Sequence, residues 1–338
     1  MRLPKFEHLQ PESLEEALEL LAEYGEQAKV IAGGTELLVS MKHGLLAPSF
    51  LVNLKEIPEL NFIAYDGEKG LRIGALTKLA TLITSPVIRE SFAILSRAAS
   101  LVAAPPLQQM GTLAGNLCLD TRCLYYNQSR FWRQARPRCY KTGGDTCHVV
   151  KGGKSCLAAY QGDLAPALMA LGASVKIAKK GTERIVPLAD LYTGKGGRPL
   201  TLQADEVLVE VQIPAAAARC SGDYQKLRYR GAMDFPLVGV AAVVSRDGLD
   251  TIAEASLALT AVSMAPILVE EAGKFLQGQQ LTDELVAQAA GAAYEVAHPV
   301  NNIGSNPSYR RKMVRVLTKR AIRNAWEGSE PWRNGSSS

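Results

Sequence analysis

Five of the six cysteines of this 338-residue chain lie between Cys118 and Cys156, in a basic, glycine-rich stretch. Cys123, Cys139, Cys147 and Cys156 follow one another in the pattern C-x15-C-x7-C-x8-C. Structural zinc sites usually draw their ligands from close pairs such as CxxC, and the pattern contains no such pair. Four separated thiolates suit a cubane iron–sulfur cluster, which binds each thiolate through a different iron. The spacing favours such a cluster and leaves a zinc site or unliganded cysteines as alternatives.

Two glycine-rich turns could hold a phosphate. IAGGTELL, residues 31–38, predicts a strand, a double-glycine turn and a helix, and MGTLAGNL at 110–117 is a second such loop. Glycines allow backbone N–H groups to approach a phosphate, and two loops could embrace one diphosphate from both sides. A plain strand-to-helix turn is the alternative for the first loop. The chain lacks GxxxxGK[ST], and no GxGxxG follows a strand, which argues against a P-loop kinase or a Rossmann dehydrogenase.

The elements that position these motifs are predicted from periodicity and capping. Residues 12–25 form an amphipathic helix, with Ser13 as N-cap, Glu16 closing a capping box and Gly25 as the stop. A helix is predicted over 35–44 and a long helical stretch over about 79–102. Strands are predicted near residues 28–32, 50–54, 71–76, 174–180, 184–188 and 207–214. The small-residue stretch at 215–223 reads as a boundary, followed by strands near 238–245 and 254–262 and three helices.

The composition is that of an ordinary globular protein, with 47% hydrophobic and 21% charged residues. No run approaches the length of a membrane span, and the start of the chain lacks the apolar stretch of a secretory signal. We therefore expect a cytoplasmic protein, in which clustered thiols more often bind a metal or cofactor than form disulfides.

Five segments resemble the FAD-binding medium subunit of molybdenum hydroxylases, the group of xanthine dehydrogenase and carbon monoxide dehydrogenase. They are KVIAGGTELLVSMK, RIGALTKLA, GTLAGNL, GDLAPALMALGASV and KLRYRGAMDFPLVGVA. The resemblance spans about residues 3–325. It implies an α/β plus α+β fold. A two-lobed FAD-binding domain of the vanillyl-alcohol-oxidase/PCMH type would occupy 1–217, with lobes of about 1–55 and 56–217. A C-terminal α+β domain of the CO dehydrogenase flavoprotein type would occupy 218–326, and 327–338 would be a disordered tail.

Against that family pattern, about forty residues, 119–160, are inserted after the second glycine loop. DTRCLYYNQS and CHVVKGGKSC resemble the insertion in the flavin subunit of 4-hydroxybenzoyl-CoA reductase, which holds a [4Fe-4S] cluster. The resemblance thus implies that Cys123, Cys139, Cys147 and Cys156 are cluster ligands. Cys118 would be a spare thiol near the flavin, and Cys220 a buried or linker thiol.

The resemblance also implies a set of FAD-binding residues. The first glycine turn would lie along the pyrophosphate, the second would oppose it, Asp163 would face the ribose or adenine, and three C-terminal residues would lie near the isoalloxazine. An ion pair between Lys226 and Asp234 at the domain interface, with Phe235 in the core, is the structural alternative. The full set is Lys29, Val30, Ile31, Ala32, Gly33, Gly34, Thr35, Glu36, Leu37, Ala75, Thr77, Gly111, Thr112, Gly115, Asn116, Asp163, Lys226, Asp234 and Phe235.

The implied function is that of an electron-transfer subunit with no catalytic residues of its own. Its partners would be a molybdopterin large subunit and a [2Fe-2S] small subunit, and the complex would reductively dehydroxylate 4-hydroxybenzoyl-CoA in aromatic compound degradation. An oxidative hydroxylase or aldehyde oxidase that uses NAD or another acceptor is the first alternative.

The charge of the insertion leaves a second alternative open. Residues 121–160 contain eight Lys/Arg and one acid, Asp145. This charge could be a solvated face or could attract an acidic ferredoxin. A zinc-stabilised nucleic-acid-binding module is the alternative from another class, whereas the resemblance implies neither a nucleic-acid nor a membrane partner.

Overall fold

The chain begins with a small parallel sheet. The computed structural model describes residues 2–247 and 250–329. The first elements are β1 (Glu7–Leu9), α1 (Leu14–Tyr24), β2 (Ala28–Ile31), α2 (Leu37–Lys42) and β3 (Phe50–Asn53). The strands pair in parallel in the order β1-β3-β2. The first glycine turn follows β2 directly and so lies at the carboxyl end of this sheet, where open α/β sheets commonly bind ligands.

Helix α1 forms where its local sequence predicts it. The Ser13 hydroxyl accepts a hydrogen bond from the Glu16 amide at 3.2 Å, which satisfies one free N–H at the helix start. The Glu16 carboxylate accepts from the Glu12 amide rather than from that of Ser13, so the reciprocal half of the predicted capping box is shifted by one residue. Gly25 follows the last helical residue with φ +50°. The apolar face packs on the small sheet.

A second lobe contains a larger, antiparallel sheet. Its elements are β4 (Ile63–Asp66), β5 (Gly70–Gly74), α3 (Leu79–Thr84), α4 (Pro86–Ser91), α5 (Ala93–Ser100), α6 (Pro105–Gln108), α7 (Leu113–Leu117), α8 (Arg130–Gln134), α9 (Leu164–Ala170), β6 (Ser174–Lys179), β7 (Thr182–Pro187) and β8 (Val207–Ile213). The strands pair in the order β4-β5-β8-β6-β7. The insertion between α7 and α9 carries α8 and a 3-10 turn at Tyr140–Thr142.

The stretch predicted as helical over about 79–102 is helical but not continuous, because the structure divides it into α3, α4 and α5. Pro86 lacks an N–H and starts α4, so the chain turns at Ser85 and begins a new helix. Phe92, which is buried, separates α4 from α5. Three strands were not predicted: the short strands β1 and β4, and the later strand β9 (Ser221–Leu227). The first three residues of β9 fall in the stretch that was predicted as a domain boundary.

The C-terminal domain is an antiparallel sheet covered by helices. It comprises β9, β10 (Val238–Arg246), β11 (Ile252–Thr260), β12 (Ile267–Leu268), α10 (Glu270–Leu276), α11 (Asp283–Val296) and α12 (Pro307–Glu327). The strand order is β12-β11-β10-β9. Alternate residues of β10 serve different cores, since Val240 and Ala242 face the helices whereas Ala241 and Val243 pack against the second lobe. The sheet is therefore buried on both faces.

The predicted domain boundary and the predicted C-terminal tail can be compared with the structure. The predicted domain boundary at 217/218 falls in the 3-10 turn Ala215–Arg219 between β8 and β9. Glu327, predicted as the first residue of a disordered tail, is the last residue of α12, and residues 330–338 of that tail lie outside the described residues. Across the described part of the chain, no helix combines the length and apolar character needed to cross a bilayer.

Candidate functional site

A cavity of about 470 Å³ opens where the two lobes and the C-terminal domain meet, within the usual size range of cofactor sites. Its wall includes the turn after β2, the second glycine loop, the residue before α9, the first residues of β8 and the loop between β9 and β10. The predicted FAD residues in this wall are Val30, Ala32, Gly33, Gly34, Thr35, Glu36, Leu37, Gly111, Thr112, Gly115, Asn116, Asp163, Asp234 and Phe235. Residues predicted from four separate parts of the sequence thus meet at one cavity.

The two glycine loops touch each other at the cavity. A Cβ atom added to Gly33 would lie 2.0 Å from the Met110 carbonyl oxygen, so only glycine permits this approach. Gly34 has φ +72°, in the left-handed region that favours glycine. The first turn therefore presents bare backbone beside the second loop. Such a surface lets N–H groups reach a phosphate, so the arrangement fits the diphosphate of FAD.

Two predicted FAD residues support the second loop from behind. The Ala75 carbonyl accepts a hydrogen bond from the Ala114 amide at 3.0 Å, and the Thr77 carbonyl accepts one from the Leu113 amide at 2.9 Å. Ala75 and Thr77 are buried and lie outside the cavity wall. Their place is therefore structural, because they fix the backbone that forms the wall.

Two more predicted residues on β2 also lie outside the wall. The Lys29 ammonium is 3.7 Å from the Glu26 carboxylate. Ile31 packs into a small core with Met41 and Leu51. In β2 the side chains alternate between faces, and Val30 is the strand residue that lines the cavity.

A buried ion pair joins the two domains beside the cavity. Asp163, just before α9, lies 2.9 Å from the ammonium of Lys226 on β9, and both side chains are almost fully buried. Lys226 also donates to the Leu101 carbonyl at 2.8 Å, and the Tyr224 hydroxyl donates to Asp163 at 2.8 Å. Burial raises the pKa of the Asp163 carboxyl and lowers the pKa of Lys226, while their mutual attraction opposes both shifts. Lys226 itself is not in the cavity wall.

The predicted alternative of an ion pair between Lys226 and Asp234 is wrong, because each has another partner. Asp234 accepts hydrogen bonds from the guanidinium and amide of Arg230, which hold the pKa of its carboxyl below the usual value. Phe235 is partly buried and lines the cavity, with the Arg122 guanidinium 4.2 Å above its ring. Asp163, on the other side of the domain interface, is the residue that neutralises Lys226.

The four cysteines of the insertion lie close enough to influence one another. Burial raises the pKa of Cys123, and the charges of Cys156 and Cys139 raise it further. Burial also raises the pKa of Cys156, with smaller contributions from Cys139 and Cys147 that the positive charge of Lys141 opposes. Among the residues that the structure describes, no three His, Cys, Asp or Glu side chains are grouped so as to hold a single metal ion.

The remaining two cysteines are Cys118 and Cys220, and neither forms a disulfide. Cys118 is in the cavity wall, and burial raises the pKa of its thiol to about 12. Cys220 follows the 3-10 turn before β9, and burial raises the pKa of its thiol to about 11. Cys118 thus lies beside the candidate flavin site, where the sequence placed it.

Residues 4–216 match the family described as the FAD binding domain in molybdopterin dehydrogenase, and residues 223–325 match the CO dehydrogenase flavoprotein C-terminal domain. The carbon monoxide dehydrogenase medium chain of Hydrogenophaga pseudoflava is 30% identical over 324 residues, which cover 96% of this chain and 98% of that one.

This chain belongs to the FAD-binding subunits of the molybdenum hydroxylase family.

Further relatives of this flavin subunit agree with the assignment. The FAD-binding subunit of the aldehyde oxidoreductase of Escherichia coli K12 is 34% identical over 285 residues, or 80% of this chain and 84% of that one. The solved carbon monoxide dehydrogenase of H. pseudoflava that lacks the Mo-pyranopterin moiety superposes with a TM-score of 0.81 at 29% identity, covering 98% of this chain and 100% of its counterpart.

These matches confirm the predicted fold class, a PCMH-type FAD-binding domain followed by a CO dehydrogenase flavoprotein C-terminal domain. They also confirm that the chain is an oxidoreductase subunit and a flavoprotein. The alternative of a nucleic-acid-binding module receives no support from them.

The flavin subunit also has a basic groove of about 920 Å³, lined by residues of the cysteine insertion and by residues 2–4 and 41–47. The described residues that line it include seven Lys/Arg side chains, among them Arg130, Arg136 and Arg138, and no acidic one. Cys139 also lines the groove, and the Phe131 side chain beside it is 87% exposed. Positive charge, an exposed aromatic ring and a cysteine of the quartet thus share one surface.

Several residues of the flavin subunit's cavity were not predicted. Ala103 and Met233, from the two domains, both have left-handed φ angles of 45° and 62°, and the Met233 amide donates to the Ala103 carbonyl at 2.8 Å. Neither residue type signals such a backbone conformation. Arg122 was counted only among the eight Lys/Arg of residues 121–160, yet it lies in the cavity wall. Its position next to Cys123 was the available signal.

Proposed function

We propose that this subunit relays electrons through FAD in the cavity and a [4Fe-4S] cluster on Cys123, Cys139, Cys147 and Cys156. FAD and the cluster supply the redox chemistry when bound, whereas the chain supplies binding, orientation and electrostatics. The donor set supports a cluster because the insertion supplies four thiols whose charges act on one another, and a cubane binds each of four thiolates through its own iron.

One observation carries the proposal. Arg122 lies in the wall of the flavin cavity, and the next residue is Cys123, whose thiol interacts with those of Cys139 and Cys156. The two cofactor sites would therefore share one segment of backbone. A short separation between redox centres is what an electron relay requires, and nothing in the cavity wall needs to act as an acid or base.

The cavity wall offers a binding role to each predicted group. The Gly33 and Gly34 amides would face the diphosphate from one side, with the second glycine loop opposite. The Thr112 hydroxyl accepts from the Gly115 amide and thereby fixes the shape of that loop. Asp163 faces the cavity with its charge already balanced by Lys226, so it would shape the site without adding net charge.

The proposed electron donor is an acidic ferredoxin that docks at the basic groove. The groove exposes cationic side chains and also contains Cys139, so a docked donor would lie beside the cluster. Charge complementarity of this kind speeds the encounter of redox partners. The other proposed partners are a molybdopterin large subunit and a [2Fe-2S] small subunit in a cytoplasmic hetero-oligomer. The words "medium chain" and "complex subunit" in the names of relatives support a multi-subunit assembly.

For the complete complex we propose reductive removal of the hydroxyl group of 4-hydroxybenzoyl-CoA, a step in aromatic compound degradation. The cysteine insertion and its resemblance to that reductase support this direction. The second candidate is an oxidative hydroxylase or aldehyde oxidase that passes electrons to NAD or another acceptor. The names of the relatives, which include carbon monoxide and nicotinate dehydrogenases and an aldehyde oxidoreductase, favour this candidate.

The test of the relay is anaerobic analysis of iron, zinc, acid-labile sulfide and flavin in the purified complex, compared between the native chain and the Cys139→Ser variant. We expect the variant to lack about four irons and four sulfides that the native subunit contains. Cys220→Ser is the matched control and should retain them, because Cys220 lies outside the insertion. One zinc without an associated sulfide in this subunit would refute the relay and favour the oxidative enzyme.

A further inference from the structure

Residues 119–123 belong to both candidate cofactor sites. Leu119, Asp120 and Arg122 line the flavin cavity, and Cys123 belongs to the cysteine quartet. The Cys123 amide donates to the Asn127 side chain at 2.8 Å, so the backbone at the quartet is itself tied into the insertion. A movement of this segment at the cysteine end would therefore displace the cavity wall one residue away.

The Arg122 side chain connects three parts of the fold at the edge of the cavity. Its Nη1 donates to both carboxylate oxygens of Glu36, at 3.1 and 3.2 Å, just after the first glycine turn. Its guanidinium lies 4.2 Å above the ring of Phe235, which the C-terminal domain contributes. Its backbone exchanges two hydrogen bonds with Ala159, at 2.7 and 2.8 Å, three residues after Cys156. Arg122 is thus fixed by both ends of the insertion.

Lys141 makes a second connection from inside the insertion. It lies two residues after Cys139, and only 4% of its side chain is exposed. Its ammonium donates to Asp120 at 2.7 Å and to the carbonyls of Thr121 and Gly196 at 3.1 and 3.0 Å. Its charge also acts on the thiol of Cys156. Asp120 in the flavin wall is therefore held by a buried cation that the insertion contributes two residues after Cys139.

From these contacts we infer that Arg122 and Lys141 are positioning residues that couple occupancy of the cysteine quartet to FAD affinity. The inference rests on the proposed cluster. A loaded quartet fixes the insertion, and through Arg122 and Lys141 it fixes Glu36, Asp120 and the cavity wall in the form that binds FAD. An empty quartet frees the insertion and with it the wall. Because the two occupancies are linked, FAD must in turn retain the cluster by the same factor.

The experiment measures FAD affinity of the complete complex, deflavinated and titrated with FAD, in its loaded form and after anaerobic removal of iron by a chelator. We expect the dissociation constant to rise about tenfold on iron removal, within the usual range of coupling between two sites. Reconstitution with iron and sulfide should restore the original value. Arg122→Gln should weaken FAD binding in the loaded complex and reduce the effect of iron removal to less than threefold. Lys151→Met, which removes an exposed lysine of the same insertion, should behave like the native chain.

A second measurement needs no variant. FAD-loaded complex should lose iron to the chelator about tenfold more slowly than deflavinated complex. If Arg122→Gln folds poorly, Arg122→Lys together with this reciprocal measurement provides the test.

The outcomes separate the two proposals. Absence of a cluster bound to this subunit in the purified complex refutes the proposed function and this inference together. A cluster whose removal changes the FAD dissociation constant by less than twofold refutes the inference alone. An unchanged tenfold effect in Arg122→Gln refutes the role given to Arg122.

Discussion

Lys226→Met tests the buried ion pair that joins the domains beside the flavin cavity. The substitution conserves length and apolar volume but removes the ammonium that lies 2.9 Å from Asp163. Asp163 would then remain buried with the Tyr224 hydroxyl as its hydrogen-bond donor. Breaking a buried ion pair from one side costs about 3–5 kcal/mol, because the remaining charge stays out of water. That is a large share of the stability of a typical domain.

The assay is urea unfolding followed by circular dichroism at several FAD concentrations and extrapolated to zero FAD, so that a change in FAD affinity does not enter the difference in stability. Asp163→Asn in the Lys226→Met background removes the second charge, and we expect the double variant to regain about 1–3 kcal/mol. Lys274→Met, which breaks an exposed pair with Glu271, is the control and should cause no measurable loss.

The pH dependence follows from the sign of the Asp163 shift. Burial raises the pKa of this carboxyl, and loss of Lys226 removes the main opposing attraction. In Lys226→Met the folded state then binds a proton at a pH where the unfolded chain does not, so the stability defect should shrink as the pH falls towards the raised pKa. A loss below about 1 kcal/mol at neutral pH, or a double variant no more stable than Lys226→Met, would show that the pair does not carry this energy.

Other predictions concern the two cofactor sites. Gly33→Ala should weaken FAD binding by more than about tenfold in a fluorescence titration, because its Cβ would lie 2.0 Å from the Met110 carbonyl oxygen. The control is Gly67→Ala, where an added Cβ meets open space, and this variant should bind FAD normally. Equal FAD binding by the two variants would contradict the predicted fit. Arg138→Glu should slow reduction by an acidic electron-carrier protein about tenfold at low ionic strength, with the difference disappearing in high salt. The same change at Arg89, which is exposed and does not line the groove, should have little effect, and equal slowing by both would argue against docking at the groove.

The parts of the fold that the sequence predicted well are those set by local interactions. Ser13 and Gly25 cap α1 with groups a few residues away, and the strand patterns of β6, β7 and β8 are continuous in sequence. The division of 79–102 into three helices was missed although Pro86 marked one of the breaks. The other break, at Phe92, arises because that ring is buried in the core of the second lobe, which no local pattern shows.

The amino-acid sequence by itself determined the chemistry that is available: two glycine turns with bare backbone, and four separated thiols in a basic insertion. Only the tertiary structure decided how these features meet. It paired Lys226 with Asp163 rather than with Asp234, and it placed Arg122 between Glu36 and Phe235. Partners of this kind are tens of residues or more apart in the chain, and they are selected by which surfaces the packed lobes bury together. A buried charge must find a partner there, and its position in the sequence does not specify which one.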